Sequence, residues 1–313
     1  MPNASEISAQ VARESERRAR LGVPAFAGGL LYLLSGIVIS STLNGAPTVG
    51  VVQGLKPALS GIARAPVSPR TAEVKFISHH AFPLIAGSVL AAVAIAALTL
   101  VLLLLADAAR FRRPESWSAA RPLVLTGGVA FAVVSLAHQV IGAINTHNFA
   151  VGQDHSRHAV ENALTKGAGN VATQYLALLG GLALAAGMIA VMLNAIRVGL
   201  VARWMGFLGI FSAVLIFLPI GGATLEVVPA FWLVGAGILL QRRWPGGDPP
   251  AWDAGEARPW PSQAELRAAR ESGKAPQGSA GSAEVAPAPA PAPAALPSGA
   301  STGKRRRKRG GRR

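Results

Sequence analysis

No cysteine occurs anywhere in the 313 residues. Disulfides, thiolate metal centres and cysteine nucleophiles are therefore excluded together. Charge is scarce as well. Only 14% of residues are Asp, Glu, Lys or Arg, against about 25% in a soluble domain. Acids are the scarcer sign, 15 against 30 bases, so negatively charged surfaces cannot dominate. Catalytic signatures are missing too: no Walker motif, no G-x-S-x-G elbow, no rhomboid-like Ser/His pairing and no haem-attachment motif. An enzyme on this chain would need an unsignalled His/acid site, and no cofactor is expected.

What is present is apolar sequence in long blocks. Six apolar stretches, uncharged except for Glu226 in the last, cover Ala25–Leu43, Phe82–Ala106, Pro122–Ala143, Val171–Ile196, Trp204–Ile220 and roughly Gly222–Leu240. A spanning helix needs about 20 apolar residues. The expected fold class is thus all-α, a polytopic membrane helix bundle of about six transmembrane helices with a disordered C-terminal tail. Ala25–Leu43 follows Arg17, Arg18 and Arg20 as a signal peptide would, but it is longer than the usual apolar signal core, and other spans follow. It reads as a retained span. The last two stretches are short and separated only by Gly221-Gly222, so they read as a helical hairpin, with a re-entrant pair as the alternative.

The expected organisation is 1–24 as a cytoplasmic N-terminal segment and 25–241 as the six-span region, with long outer loops at 44–81 and 144–170. Next come 242–271, a Pro/Trp juxtamembrane segment, and 272–313, a Pro/Ala-rich basic tail. With the N-terminus inside, the inner segments hold 24 Lys/Arg and the outer loops 6. Leaving out the tip Lys304–Arg313 keeps the bias at 16 against 6. Positive loops stay cytoplasmic, which places both termini inside a bacterial cell membrane. Trp204 and Trp244 suit an interfacial aromatic belt.

Small residues four apart, such as Gly36 and Ser40, Ala92 and Ala96, and Ala177, Gly181 and Ala185, point to close helix packing within the bundle. Val51, Val52, Leu55, Leu59 and Ile62 have helical spacing, so Val49–Ala63 is expected to form an amphipathic surface helix. After Leu240, Pro245 to Pro250 breaks any helix. Trp252 and Trp260 are expected in Pro-flanked turns. Ser262 and Glu265 mark a capping box for one short helix, Gln263–Glu271. Gly273–Gly303 contains four Ala-Pro repeats and would reach roughly 95 Å as polyproline II.

Polar residues inside apolar stretches are the first candidates for function, because each is costly there. Glu226 is the one acid in any stretch. His138 and Gln139 lie in the third, Gln174 in the fourth, and the topology places all four towards the outer side. They form a candidate polar pocket for a small transporter or sensor. His155, His158 and Glu161 run i, i+3, i+6, so a helix through them would offer a weak metal site. They do not match the H-E-x-x-H pattern. In the tip, Lys304, Arg305, Arg306, Arg307, Lys308, Arg309, Arg312 and Arg313 suit anionic lipid headgroups. Nucleic acid ranks below lipid, because no aromatic lies among those ten residues to stack on bases. A membrane scaffold acting through this tail is the alternative function.

The stretch Pro249-Pro250-Ala251-Trp252-Asp253-Ala254-Gly255-Glu256-Ala257-Arg258-Pro259-Trp260-Pro261-Ser262 resembles one found after the last span of uncharacterised multi-pass membrane proteins of actinobacteria. Ala202-Arg203-Trp204-Met205-Gly206 is similar to theirs as well. The resemblance covers residues 25–271. It implies an integral membrane protein and transfers no functional residue.

Overall fold

The computed structural model describes residues 3–48, 68–217, 226–245, 247–260, 268 and 271. The expected Val49–Ala63 helix, the Gly221-Gly222 turn, most of Gln263–Glu271, and the tail with its basic tip lie outside these residues. The chain divides into Met1–Gly278 and Ser279–Arg313. The structure described below is that of the first unit.

Among the described residues every regular element is helical. In chain order these are α1 (Ala4–Leu43), α2 (Thr71–His79), α3 (Ala81–Arg112), α4 (Ala120–Val151), α5 (Arg157–Glu161), a π-helical turn (Asn162–Lys166), α6 (Ala168–Val198), α7 (Arg203–Phe217), α8 (Val227–Leu240) and α9 (Pro250–Ala254). Four helices have the length and apolarity to cross a membrane: α1, α3, α4 and the run Arg157–Val198 that contains α6. At 15 and 14 residues, α7 and α8 measure about 22 and 21 Å, short of a hydrocarbon core of about 30 Å. The protein is a membrane helix bundle, with four full-length apolar helices and two shorter ones among the described residues.

Neighbouring helices run antiparallel and approach closely at glycines. A β-carbon on Gly127 would collide with the backbone at Leu184, and one on Gly187 would lie 2.8 Å from the backbone nitrogen of Val124. Gly180, seven residues before Gly187, meets Ala130 and Phe131 in the same way. Helices without a hydrophobic drive between them gain from such contact. The α1 crossings sit at Gly28 against Ala97, at Gly29 against Val234, and at Phe26 against Gly237. The Ala92/Ala96 pair is not among these approaches, because Ala96 is exposed. The Gly127-Gly128 and Gly180-Gly181 pairs are crossing points.

The outward faces carry Leu30, Leu34 and Ile37 of α1, Val129 and Val133 of α4, Leu176 and Leu179 of α6, and Phe207 and Phe211 of α7, all exposed. Lipid is the solvent that suits such a belt.

Three boundaries differ from the sequence reading. The N-terminal segment is not separate from the first span. Asn3 caps α1 with a full capping box to Glu6, and the helix runs 40 residues through Pro24, about 60 Å. The 144–170 loop is largely helical, since α4 continues to Val151 and α6 begins at Ala168. Trp252 is not in a turn: Pro250 occupies the first turn of α9, where its missing N–H costs nothing.

Candidate functional site

The most elaborate polar arrangement among the described residues lies at one end of the bundle, where the Trp252 segment noted in the sequence meets buried charges that the sequence did not single out. The first five turns of α1, the end of α3 and the segment 248–258 meet there. Arg112, the last residue of α3, has a fully buried side chain. It donates to both carboxylate oxygens of Glu14, Nη1 to Oε1 at 2.9 Å and Nη2 to Oε2 at 2.7 Å. It also donates from Nε and Nη2 to the Ala251 carbonyl at 3.0 and 2.9 Å, and from Nη1 to the Ala108 carbonyl at 2.9 Å. A guanidinium has five N–H groups, and these bonds engage all five.

Arg18, four residues after Glu14, is 1% exposed. It donates to the Leu239 carbonyl at 3.0 Å and to Asp248 Oδ1 at 3.3 Å. Its Nε finds no partner among the described residues. Both guanidinium groups lie near the Trp252 indole, Arg18 at 4.5 Å and Arg112 at 5.6 Å from the ring centre. The indole N–H donates to the Leu200 carbonyl at 3.0 Å. A cation over a desolvated tryptophan face is worth about 2 kcal/mol. Gln10 supports Glu14 at 2.9 Å, and Arg242 reaches Ser15 at 3.1 Å.

Gly199 makes the docking possible. It ends α6 with φ +81°, and its left-handed cap releases Leu200 to donate to Ala195. Arg258 N–H then donates to the Val198 carbonyl at 3.1 Å, and the Arg258 oxygen sits where a β-carbon of residue 199 would be. The motif that carries the resemblance is therefore a strap against the bundle end. Trp204 and Trp244 stack at 5.5 Å on the same end, as a shared interfacial position requires.

The candidates chosen from the sequence are distributed differently. His138 Nδ1 bonds the Thr173 hydroxyl at 2.8 Å, tying α4 to α6. Gln139 is half-buried beside it in the chain, and Gln174 is exposed on the outside of α6. Glu226 precedes α8, which packs on α1 and α7. Its Oε2 is buried with no partner among the described residues. No described hydrogen bond joins Glu226 to His138 or Gln174. A deeply buried polar group at that end is one the sequence passed over: Asn170 is 2% exposed, accepts from Asn145 at 3.2 Å and donates to the Ala163 carbonyl at 3.1 Å.

His155, His158 and Glu161 do not share a helix face, because Ser156 caps α5 and leaves His155 outside it. His155 packs on Phe149 and bonds the Gln153 carbonyl, His158 bonds Asn162, and Glu161 pairs with Arg157 and Lys166. Among the described residues no three His, Asp or Glu side chains converge as metal ligands. Nearby, the Asp154 carboxylate accepts from the Ser156 backbone N–H at 2.8 Å, which holds it below the usual aspartate range.

No family profile matches the chain, and no curated protein or solved structure shows significant similarity to it.

Proposed function

We propose that this protein is a multi-pass scaffold of a bacterial inner membrane, with both termini cytoplasmic. In this reading it holds its cytoplasmic segments in fixed register against the bundle and presents the basic tip Lys304–Arg313 to anionic headgroups or an acidic partner. The grouping with actinobacterial multi-pass proteins belongs to the same proposal. The observation that carries it is the clamp. Buried charges on α1 and α3 converge on a strap that lies outside every apolar stretch, at the bundle end where the positive charge is concentrated. Charges buried this way rarely improve stability over apolar packing; their best-attested gain is a fixed register.

The test separates fold from recruitment. Truncation after Arg270 leaves the clamp whole. The truncated protein should unfold at the same temperature as the full chain, while its chemically cross-linked cytoplasmic partners in native membranes are lost. Identical cross-linked partners in both forms would sink the scaffold reading. Orientation is checked with single cysteines in this cysteine-free chain. Ser156→Cys should label with an impermeant thiol reagent in intact cells, and Ser118→Cys only after permeabilisation.

A second reading, a small transporter or sensor, is favoured by Glu226, whose buried Oε2 has no partner among the described residues. Glu226→Gln should then change an ion or pH response of the reconstituted protein. An unchanged response removes this reading.

A further inference from the structure

Beside the clamp, the turn between α3 and α4 covers a small cleft, with inner space for little more than a water, that opens to solvent. Arg110, Ser116, Trp117, Ser118, Arg121 and Asn194 contribute its polar lining. We propose that the mouth of this cleft binds the phosphate of an anionic phospholipid headgroup, a site distinct from the basic tail.

The floor of the cleft supplies the first argument. Asn194, on α6, is 8% exposed, and among the described residues its amide makes no hydrogen bond. Its amide is not sealed from solvent but lines the open cleft, where it is free to donate to a ligand at the mouth.

Charge at the rim supplies the second. Arg110 is exposed and enters no ion pair among the described residues. Arg121 Nε contacts Asp107 at 2.9 Å, and the same carboxylate is shared with Arg17 at 3.3 Å. One acid thus serves two arginines, which leaves the rim positive beside Arg110. The acids facing this rim are Asp107 and, on the turn, Glu115. The two serine hydroxyls and the Trp117 indole N–H are further donors, and α4 starts without a side-chain cap. Every group in the set is a donor or a cation, as a phosphodiester requires.

Depth supplies the third. Arg110 lies just after the uncharged Phe82–Ala106 run, and Arg121 just before Pro122–Ala143. Both therefore stand at headgroup level. Trp117 is 53% exposed, which suits an indole at the interface. Basic pockets between spanning helices are recognised headgroup sites.

The experiment uses the full chain in nanodiscs of mixed phosphatidylglycerol and phosphatidylcholine, followed by native mass spectrometry of the lipid retained on release. The wild type should retain phosphatidylglycerol preferentially. Arg110→Gln should lower that preference about fivefold, the weight of one basic residue at a membrane surface. Arg243→Gln, an equal charge change elsewhere on this end, should leave it nearly intact. Asn194→Leu, which alters no charge, should lower it about threefold, as for one modest hydrogen bond. Equal losses in the two arginine variants would mean bulk attraction and overturn the site. Displacement of the retained lipid by millimolar inorganic phosphate would make the ligand a soluble phosphate and overturn the lipid assignment. If Asn194→Leu does not fold, the contrast between the two arginine variants decides, because both side chains are exposed.

Discussion

The two ends of the bundle handle buried polarity in different ways. At the clamp end, long charged side chains cross between segments far apart in sequence: Arg112 to Glu14 and Ala251, Arg18 to Asp248. At the opposite end, short neutral side chains bond locally, His138 to Thr173 and Asn170 to Asn145 and Ala163. The difference follows from what each end must join. Packed spanning helices place side chains within reach of one another, and a single hydroxyl or amide suffices. The strap has no apolar stripe long enough to hold it, so its position depends on a few strong, directional bonds around one indole. Polar groups near helix ends can reach solvent or headgroups, whereas the Arg112 side chain is sealed and must satisfy every donor internally.

Changes at the two ends should therefore differ in size. Arg112→Met leaves the buried Glu14 carboxylate without its counter-charge, held by Gln10 alone, and takes both guanidinium donors from the Ala251 carbonyl. Removing one partner of a buried pair costs about 3–5 kcal/mol, so thermal unfolding in detergent should shift downward strongly. Arg112→Lys should recover little, because an ammonium cannot reproduce the fork. The double variant Glu14→Leu with Arg112→Met should recover part of the loss, since no charge is then stranded. If Arg112→Met unfolds like the wild type, the clamp contributes nothing and the contrast between the ends disappears.

The middle of the scale lies at the other end. Asn170→Ala removes bonds to Asn145 and Ala163, and side-chain hydrogen bonds between spanning helices average about 0.6 kcal/mol with a maximum of about 1.7. The same unfolding measurement should show a small downward shift. A loss as large as that of Arg112→Met would place both ends on one energetic footing.

Asp154 should have the smallest effect. Its carboxylate is held below the ordinary range by the Ser156 N–H, so its stabilising contribution is present above the ordinary aspartate range. The contribution is lost as pH falls through the lowered value. Asp154→Asn should therefore be slightly less stable than the parent at neutral pH and equal to it in strong acid. A difference that grows on acidification would reverse the sign and remove this account.

The four long helices were legible because runs such as Phe82–Ala106 have no role outside lipid. The 40-residue extent of α1 was not, although the spacing was there. Ile7, Val11, Glu14, Arg18, Gly22, Ala25 and Gly29 repeat at intervals of three and four, one continuous seam. Two of its members are charged, so a hydrophobic reading breaks the stripe at the residues that form the clamp. Pro250 misled in a similar way. Before Trp252 it reads as a breaker, yet at the first turn of a helix it is a starter. The polar candidates show another limit. The sequence gives depth along a span but not the direction a side chain takes around the helix, so Gln174, Glu226 and His138 shared a level without sharing a face.

The distance along the chain between the clamp partners carries one last consequence. Arg18 and Asp248 are separated by 230 positions. During synthesis α1 leaves the ribosome first and the strap follows every spanning helix. Until residues 248–258 emerge, Arg18 and Arg112 lack the Trp252 indole and Arg112 lacks the Ala251 carbonyl, although Glu14 is already in place. The clamp therefore closes only after translation has passed the last apolar stretch.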